Sequence, residues 1–192
     1  MIGPSPFNSW KIRYLEVTKF GFKEIGLENW LLRDPVHDIF SKVTPTGEVS
    51  PMRGEDWVRL VLKPQILETV PNEIQALFEV ARGALIYGYF FYPLWTLGTE
   101  QLYRVTEAAV SYKCANLEAP KSIKYFKGKI DWLKNNKVIS KEDAEKLNNL
   151  RHLRNMASHP KEQSIIIPRM AIKLLVNVSG TINSLFKAQM VT

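Results

Sequence analysis

Cysteine is almost missing from this chain of 192 residues, where Cys114 stands alone. One thiol can form no internal disulfide and cannot build a cysteine-based zinc site. A reducing, cytoplasmic setting is therefore expected. Long apolar runs are also missing. The longest uncharged stretch, Gly83 to Thr99, is interrupted by Gly88 and Pro93. It falls short of the roughly 20 apolar residues that a membrane span requires. It reads as a buried helix and turn, and no membrane partner is expected. The start, MIGPSPFNSWKIRYLEV, has no charged segment leading into a continuous apolar run, so no signal peptide is expected. There is no internal repeat and no low-complexity segment.

What is present suits a folded domain. Hydrophobic residues make up 45% of the chain and charged residues 23%, a balance that can fill a core and argues against disorder. At 22.1 kDa the chain fits one domain, or one domain with a substantial arm. The net charge of +7 is unevenly placed: residues 1–65 are nearly balanced, so the excess falls on residues 66–192. There Lys121, Lys124, Lys127, Lys129, Lys134 and Lys137 crowd one short segment against a single acid, Asp131. Such a cluster is a footprint for a polyanion, or equally a solvated helix face.

Residues 1–65 show no long helical period and form an aromatic-rich arm, with Trp10, Tyr14, Phe20, Phe22, Trp30, Phe40 and Trp57. Its aromatics either pack on a helical body or engage a partner. Pro45-Thr46-Gly47 predicts the turn of a short β-hairpin, Asn29 to Arg33 a single helical turn, and Arg59 to Leu62 either strand or helix. From residue 66 a helical body follows. Ile74, Leu77, Phe78, Ala81 and Leu85 mark a helix that begins at Pro71 and runs to about Phe91, where Pro93 breaks it.

A second helix, from about Thr99 to Asn116, buries Leu102, Val105, Ala109 and Val110. Its other side holds Glu100, Arg104, Glu107 and Ser111, at spacings that allow Glu100 or Glu107 to pair with Arg104. Alternatively, Glu100 or Arg104 reaches toward the end of a later helix. A third helix, Ser122 to Asn135, buries Phe126, Ile130 and Leu133 and lines another face with Lys124, Lys127, Asp131 and Lys134. With Tyr125 and Trp132 between these faces, it could hold single-stranded nucleic acid by phosphate contact and base stacking, or carry lysines snorkelling over a core edge. After a last helix bearing Met170, Leu174, Val178, Ile182, Leu185 and Phe186, the fold class is mainly α: an antiparallel four- to five-helix bundle with an irregular arm.

Chemistry concentrates at Leu147 to Pro160, LNNLRHLRNMASHP. Ser140, with Asp143 three residues on, opens this helix in a capping-box arrangement, and Ala144, Leu147, Leu150, Leu153 and Ala157 face the core. On a helical wheel Arg151, Asn155 and Ser158 share a polar side. Arg154 instead projects beside Leu147, where a charge must find a partner or a polar cleft. His159 precedes Pro160 and is expected to be pushed out of helical conformation, a swing that can bring its ring toward Arg154. Guanidinium and imidazole together suit phosphodiester chemistry: the first holds a phosphate, the second moves the proton of a ribose hydroxyl. His152 reads as a bystander.

Arg154-Asn155-Met156-Ala157-Ser158-His159 resembles the signature of the HEPN superfamily (higher eukaryotes and prokaryotes nucleotide-binding domains), in which an arginine and a polar residue precede a histidine near the end of a late helix. Residues 133–155, from loop through capped helix to the motif, are similar to bacterial uncharacterised DUF4145-like members. The likeness covers about residues 70–190. It implies a HEPN-type bundle that forms a homodimer, with two Arg–His motifs facing across one cleft, and a metal-independent endoribonuclease acting on single-stranded RNA without a cofactor. Arg154 would hold the scissile phosphate, His159 would transfer protons and Asn155 would position the arginine or the phosphate. Arg151 and Glu100 would support, with Glu100 matching only loosely the polar residue of an earlier helix. The family also contains members that only bind RNA, nucleotides or protein partners. A toxin or defence setting, with an inhibitory protein partner, is the accompanying expectation.

Overall fold

A computed structural model describes residues 19, 21–158 and 166–187, with the side chains of 157 and 158 excepted. The chain is mainly helical, with one small antiparallel sheet near its N-terminus. Strands β1 (Ser41–Val43) and β2 (Val49–Pro51) pair in the register Ser41↔Pro51, Lys42↔Ser50 and Val43↔Val49. The hairpin forms where the Pro45-Thr46-Gly47 turn predicts it. Gly47 sits at φ +86°, a left-handed conformation that a side chain would strain.

Helix α1 (Gly54–Leu62) follows at once and settles the ambiguity of Arg59 to Leu62. Asp56 accepts a hydrogen bond from the Arg53 N–H at 2.9 Å and pairs with Lys42 of β1 at 2.5 Å, fastening hairpin to helix. That lysine bond is the main reason the Asp56 carboxyl titrates below its ordinary range.

Five helices make the body: α2 (Asn72–Tyr87), α3 (Leu94–Asn116), α4 (Phe126–Asn135), α5 (Lys141–Ser158) and α6 (Pro168–Phe186). Helix α3 is central and packs on α2, α4, α5 and α6. Its predicted inner face, Leu102, Val105, Ala109 and Val110, is buried. Against α2 the backbones approach closely at Gly98, where a Cβ would lie 2.7 Å from Leu85 Cδ2. The other core faces are Ile74, Phe78, Ala81 and Leu85 on α2, Phe126, Ile130 and Leu133 on α4, and Ala144, Leu147 and Leu150 on α5.

Several boundaries depart from the sequence reading. Helix α2 ends at Tyr87 rather than Phe91. Helix α3 starts at Leu94 rather than Thr99, because Pro93 sits at its N-cap and begins that helix. Helix α4 starts at Phe126 rather than Ser122, after a turn in which the Ile123 N–H donates to the Pro120 carbonyl. Two residues assigned to the core are exposed: Leu153 by 44% and Met170 by 60%. Leu153 lines a cleft between α5 and α6, and Ala171 and Leu175 take up the buried face of α6 in place of Met170. Among the described residues no helix is long and apolar enough to cross a membrane.

Residues 34–57 pack on the corner between α2 and α3. Asp34 is fully buried, caps the 3-10 turn Pro35–Ile39 through the Val36 N–H (3.2 Å), and also accepts from Tyr92 N (2.9 Å) and Lys23 N (3.3 Å). The Asp34 N–H donates to the Tyr89 carbonyl, and His37 Nε2 lies 3.0 Å from the Gly88 carbonyl. Backbone groups left over where α2 stops are thus taken up by the arm. Tertiary capture, more than proline, explains where α2 stops.

Candidate functional site

Helix α5 opens with the expected reciprocal cap: Ser140 Oγ accepts from the Asp143 N–H at 3.0 Å and donates to the Asp143 carboxylate at 2.9 Å. Three buried residues, Ala144, Leu147 and Leu150, then hold one face against the body. The polar side is linked along the helix: Arg151 Nε donates to Asn148 Oδ1 (3.3 Å), and its guanidinium lies 3.0 Å from His152 Nε2. Arg151 is therefore engaged with its own helix.

Arg154 does what its place at the edge of the apolar stripe requires. Its guanidinium reaches across to α3 and pairs with Glu107 at 3.2 Å, and Nη1 lies 3.5 Å from Asn155 Oδ1. The side chain stays 44% exposed, and that of Glu107 36%. An ion pair this wet adds well under about 1 kcal/mol to stability. Its effect is orientation: a carboxylate on a neighbouring helix holds the guanidinium of a partly exposed side chain.

Glu107, not Glu100, is the acid at this position. Glu100 lies two turns earlier on α3, roughly 10 Å along the axis, and its charge acts on Tyr103, where burial and Glu100 together push the phenol up. Arg104 is exposed, and among the described residues Glu107 pairs with Arg154 instead of Arg104. Spacing along α3 allows Glu107 to pair with Arg104, and the sequence points to Glu100 or Arg104, not Glu107, as the residue that reaches the later helix. Only the approach of α5 selects Glu107.

His159 and Pro160 lie outside the described residues, as does the side chain of Ser158. The chain on both sides is fixed to α3. On one side Arg154 meets Glu107; on the other the Ile166 N–H donates to Thr96 Oγ1 at 3.1 Å. These anchors are eleven residues apart on one helix, about 16 Å.

The lysines of the third predicted helix divide. Lys127 and Lys134 lie on α4, while Lys124 lies in the turn before it; all three are exposed. Lys127 pairs with Asp131 at 2.5 Å and Lys129 donates to Ser111 on α3 at 2.8 Å, so Lys124 and Lys134 are the least committed of the set. Tyr125, between them in sequence, is 83% exposed, and Trp132 is half-buried. Helix α4 packs on α5, which places this basic, aromatic surface on a neighbour of the Arg154 helix.

A cleft of about 420 Å³ opens between α5 and α6, lined by Asp143, Lys146, Leu153, Asn177 and Thr181 among others. Neither Arg154 nor Asn155 lines it, so this cleft and the arginine chemistry do not coincide. Among the described residues no group of three or more His, Cys, Asp or Glu side chains gathers as a metal site would require. Cys114 is buried, and burial raises its thiol above its ordinary value against the opposing charge of Lys129.

Sequence reasoning missed Asp34 and His37. Asp34-Pro35 is a readable signal, an N-capping acid before a proline at the first helical position. For His37 no local signal exists.

Comparison with protein-family models, with curated proteins and with solved structures finds no match.

Proposed function

We propose that this chain is a HEPN-type, metal-independent endoribonuclease that cleaves single-stranded RNA through attack of a ribose 2′-hydroxyl on the adjacent phosphodiester. The observation that carries the reading is the Arg154 guanidinium, oriented by Glu107 from a neighbouring helix on a side chain that is partly exposed. In this reading Arg154 holds the scissile phosphate and stabilises its developing charge. His159 removes the 2′-hydroxyl proton and returns a proton to the leaving 5′-oxygen. Asn155 and Glu107 position the guanidinium. Lys124, Lys127 and Lys134 hold the flanking backbone, and Tyr125 offers a base a stacking surface. A homodimer completes the cleft with a second Arg–His pair, in a cytoplasmic toxin or defence setting where a protein inhibitor would act.

Purified protein incubated with varied RNAs in excess chelator tests this directly. Fragments ending in 2′,3′-cyclic phosphate are expected, and neither Arg154→Ala nor His159→Ala should produce them. A wild-type protein inert on every RNA tried overturns the activity.

A second reading is favoured by a different surface. The turn at residues 25–32 presents Leu27 at 94% exposure, with Trp30, Leu31 and Leu32 at 57–61%. Lys23 stiffens this turn by donating to the Asn29 and Leu32 carbonyls. A rigid, apolar, exposed turn suits an interaction module whose arm engages a protein partner. In that case the Arg154 pairing is structural. Arg154→Ala should then weaken self-association or lower the melting temperature, and sedimentation with thermal melting decides the point.

A further inference from the structure

His37 sits 1% exposed at the joint between the arm and the body, ringed by Phe40, Trp57, Tyr89, Tyr92 and Trp95 at centroid distances of 5.1–6.4 Å. Its Nε2 donates to the Gly88 carbonyl at 3.0 Å, which fixes the proton of the neutral ring on that nitrogen. Nδ1 is then a bare acceptor. Among the described residues Nδ1 has no hydrogen-bond partner, and neither does the indole N–H of Trp57 or of Trp95. A second proton on His37 would therefore add a third unpaired donor, and a full charge, to a cage that already holds two donors without acceptors. Burying such a group without a partner is costly.

We infer that the seat of the arm on the α2–α3 corner is an acid-released latch, closed while His37 is neutral and opened when its imidazole takes a proton from solvent. The groups facing His37 set the balance. On its own segment Asp34 and Asp38 favour the cation and Arg33 disfavours it. The latter two are tied to each other by an ion pair. From α1 the facing residue is Trp57. From the corner come Tyr89, Tyr92 and Trp95; burial pushes the Tyr92 phenol up to about 12, so it stays neutral throughout.

Desolvation outweighs the acids and lowers the His37 pKa below its ordinary value. The sign follows: the undocked ring titrates near about 6.5 and the docked ring lower, so docking is strongest above about pH 6.5 and weakens as pH falls below it. Carboxylates ordinarily titrate near about 4, outside this window.

Amide exchange on the full chain between pH 7.5 and 5.5 reads the latch at Val36 and Tyr92, whose N–H groups the Asp34 carboxylate holds. After correction for intrinsic exchange, their protection should fall by up to about tenfold per pH unit below pH 6.5. His37→Gln, which keeps a donor for the Gly88 carbonyl but does not titrate, should remove that slope. Protection that is flat in the wild type, or an equal slope in His37→Gln, overturns the inference. If that variant does not fold, the wild-type ring spectrum decides: a His37 that protonates while Tyr92 stays protected refutes the latch, and protonation coincident with exposure supports it.

Discussion

Asp34→Ala is the sharpest test of how the arm is held. The carboxylate is fully buried and accepts three backbone N–H groups from three places in the chain, Lys23, Val36 and Tyr92, at 3.3, 3.2 and 2.9 Å. A hydrogen bond to a charged acceptor contributes about 1.5–3 kcal/mol, and donors left buried and unpaired cost about 1–3 kcal/mol each. The two longer contacts belong at the weak end. Water entering the space left by the carboxylate would recover part of the loss, because Lys23 leads directly into an exposed turn. The expected destabilisation is therefore about 3–5 kcal/mol, large against the total stability of an ordinary domain. Asp34→Asn keeps one acceptor oxygen and turns an amide donor toward N–H groups, so it should cost about 2 kcal/mol. Urea unfolding of both variants at pH 7.5 measures this, provided the slope with denaturant stays constant. A loss below about 1 kcal/mol for Asp34→Ala would show that the three contacts do not hold the corner.

Two further outcomes test the body and the basic surface. Gly98→Ala places a Cβ 2.7 Å from Leu85 Cδ2 and 3.2 Å from the Ala81 carbonyl; overpacking of about 1–3 kcal/mol, offset by roughly 1 kcal/mol of helix propensity, should leave a net loss of about 1 kcal/mol in thermal melting. A more stable variant would mean that α2 and α3 separate freely at this point. If RNA lies along α4, the double variant Lys124→Ala with Lys134→Ala should flatten the plot of log affinity against log salt by about 1.4, at roughly 0.7 per phosphate contact on a single strand. An unchanged slope removes these two lysines from the interface.

The inner faces of the helices were legible because apolar periodicity is local. Leu102, Val105, Ala109 and Val110 recur on one side of α3 whatever packs against them, and all four are buried. The ends of the helices were less legible, because partners distant in sequence set them. Nothing near Tyr87 announces that Asp34 and His37 will take up the backbone groups of Gly88, Tyr89 and Tyr92, from more than fifty residues away in each of those bonds. Leu153 and Met170 fit the period yet are exposed, since a wheel cannot tell how far along its axis a helix stays covered. The need of Arg154 for a partner was readable from its place beside Leu147. Which acid supplies it was not, for Glu100 and Glu107 lie on the same side of α3 and differ only in height.

That difference in height shows what α3 contributes to the candidate site. Glu107 holds Arg154 and Thr96 holds Ile166, so the described residues on either side of His159 are tied to two points on one helix. Trp95, beside Thr96, belongs to the aromatic cage around His37. The return anchor and the arm joint are thus adjacent residues of the first turn of α3. Thr96→Val removes the acceptor oxygen with little change of shape, and the lost hydrogen bond, about 1 kcal/mol, should speed exchange of the Ile166 amide by roughly fivefold. If the site cleaves RNA, turnover should fall with it, while affinity for RNA, which the lysines of the α4 surface provide, stays constant. Faster exchange without loss of turnover would separate the anchor from the chemistry. Unchanged exchange would mean that the bond to Thr96 does not hold the chain at all.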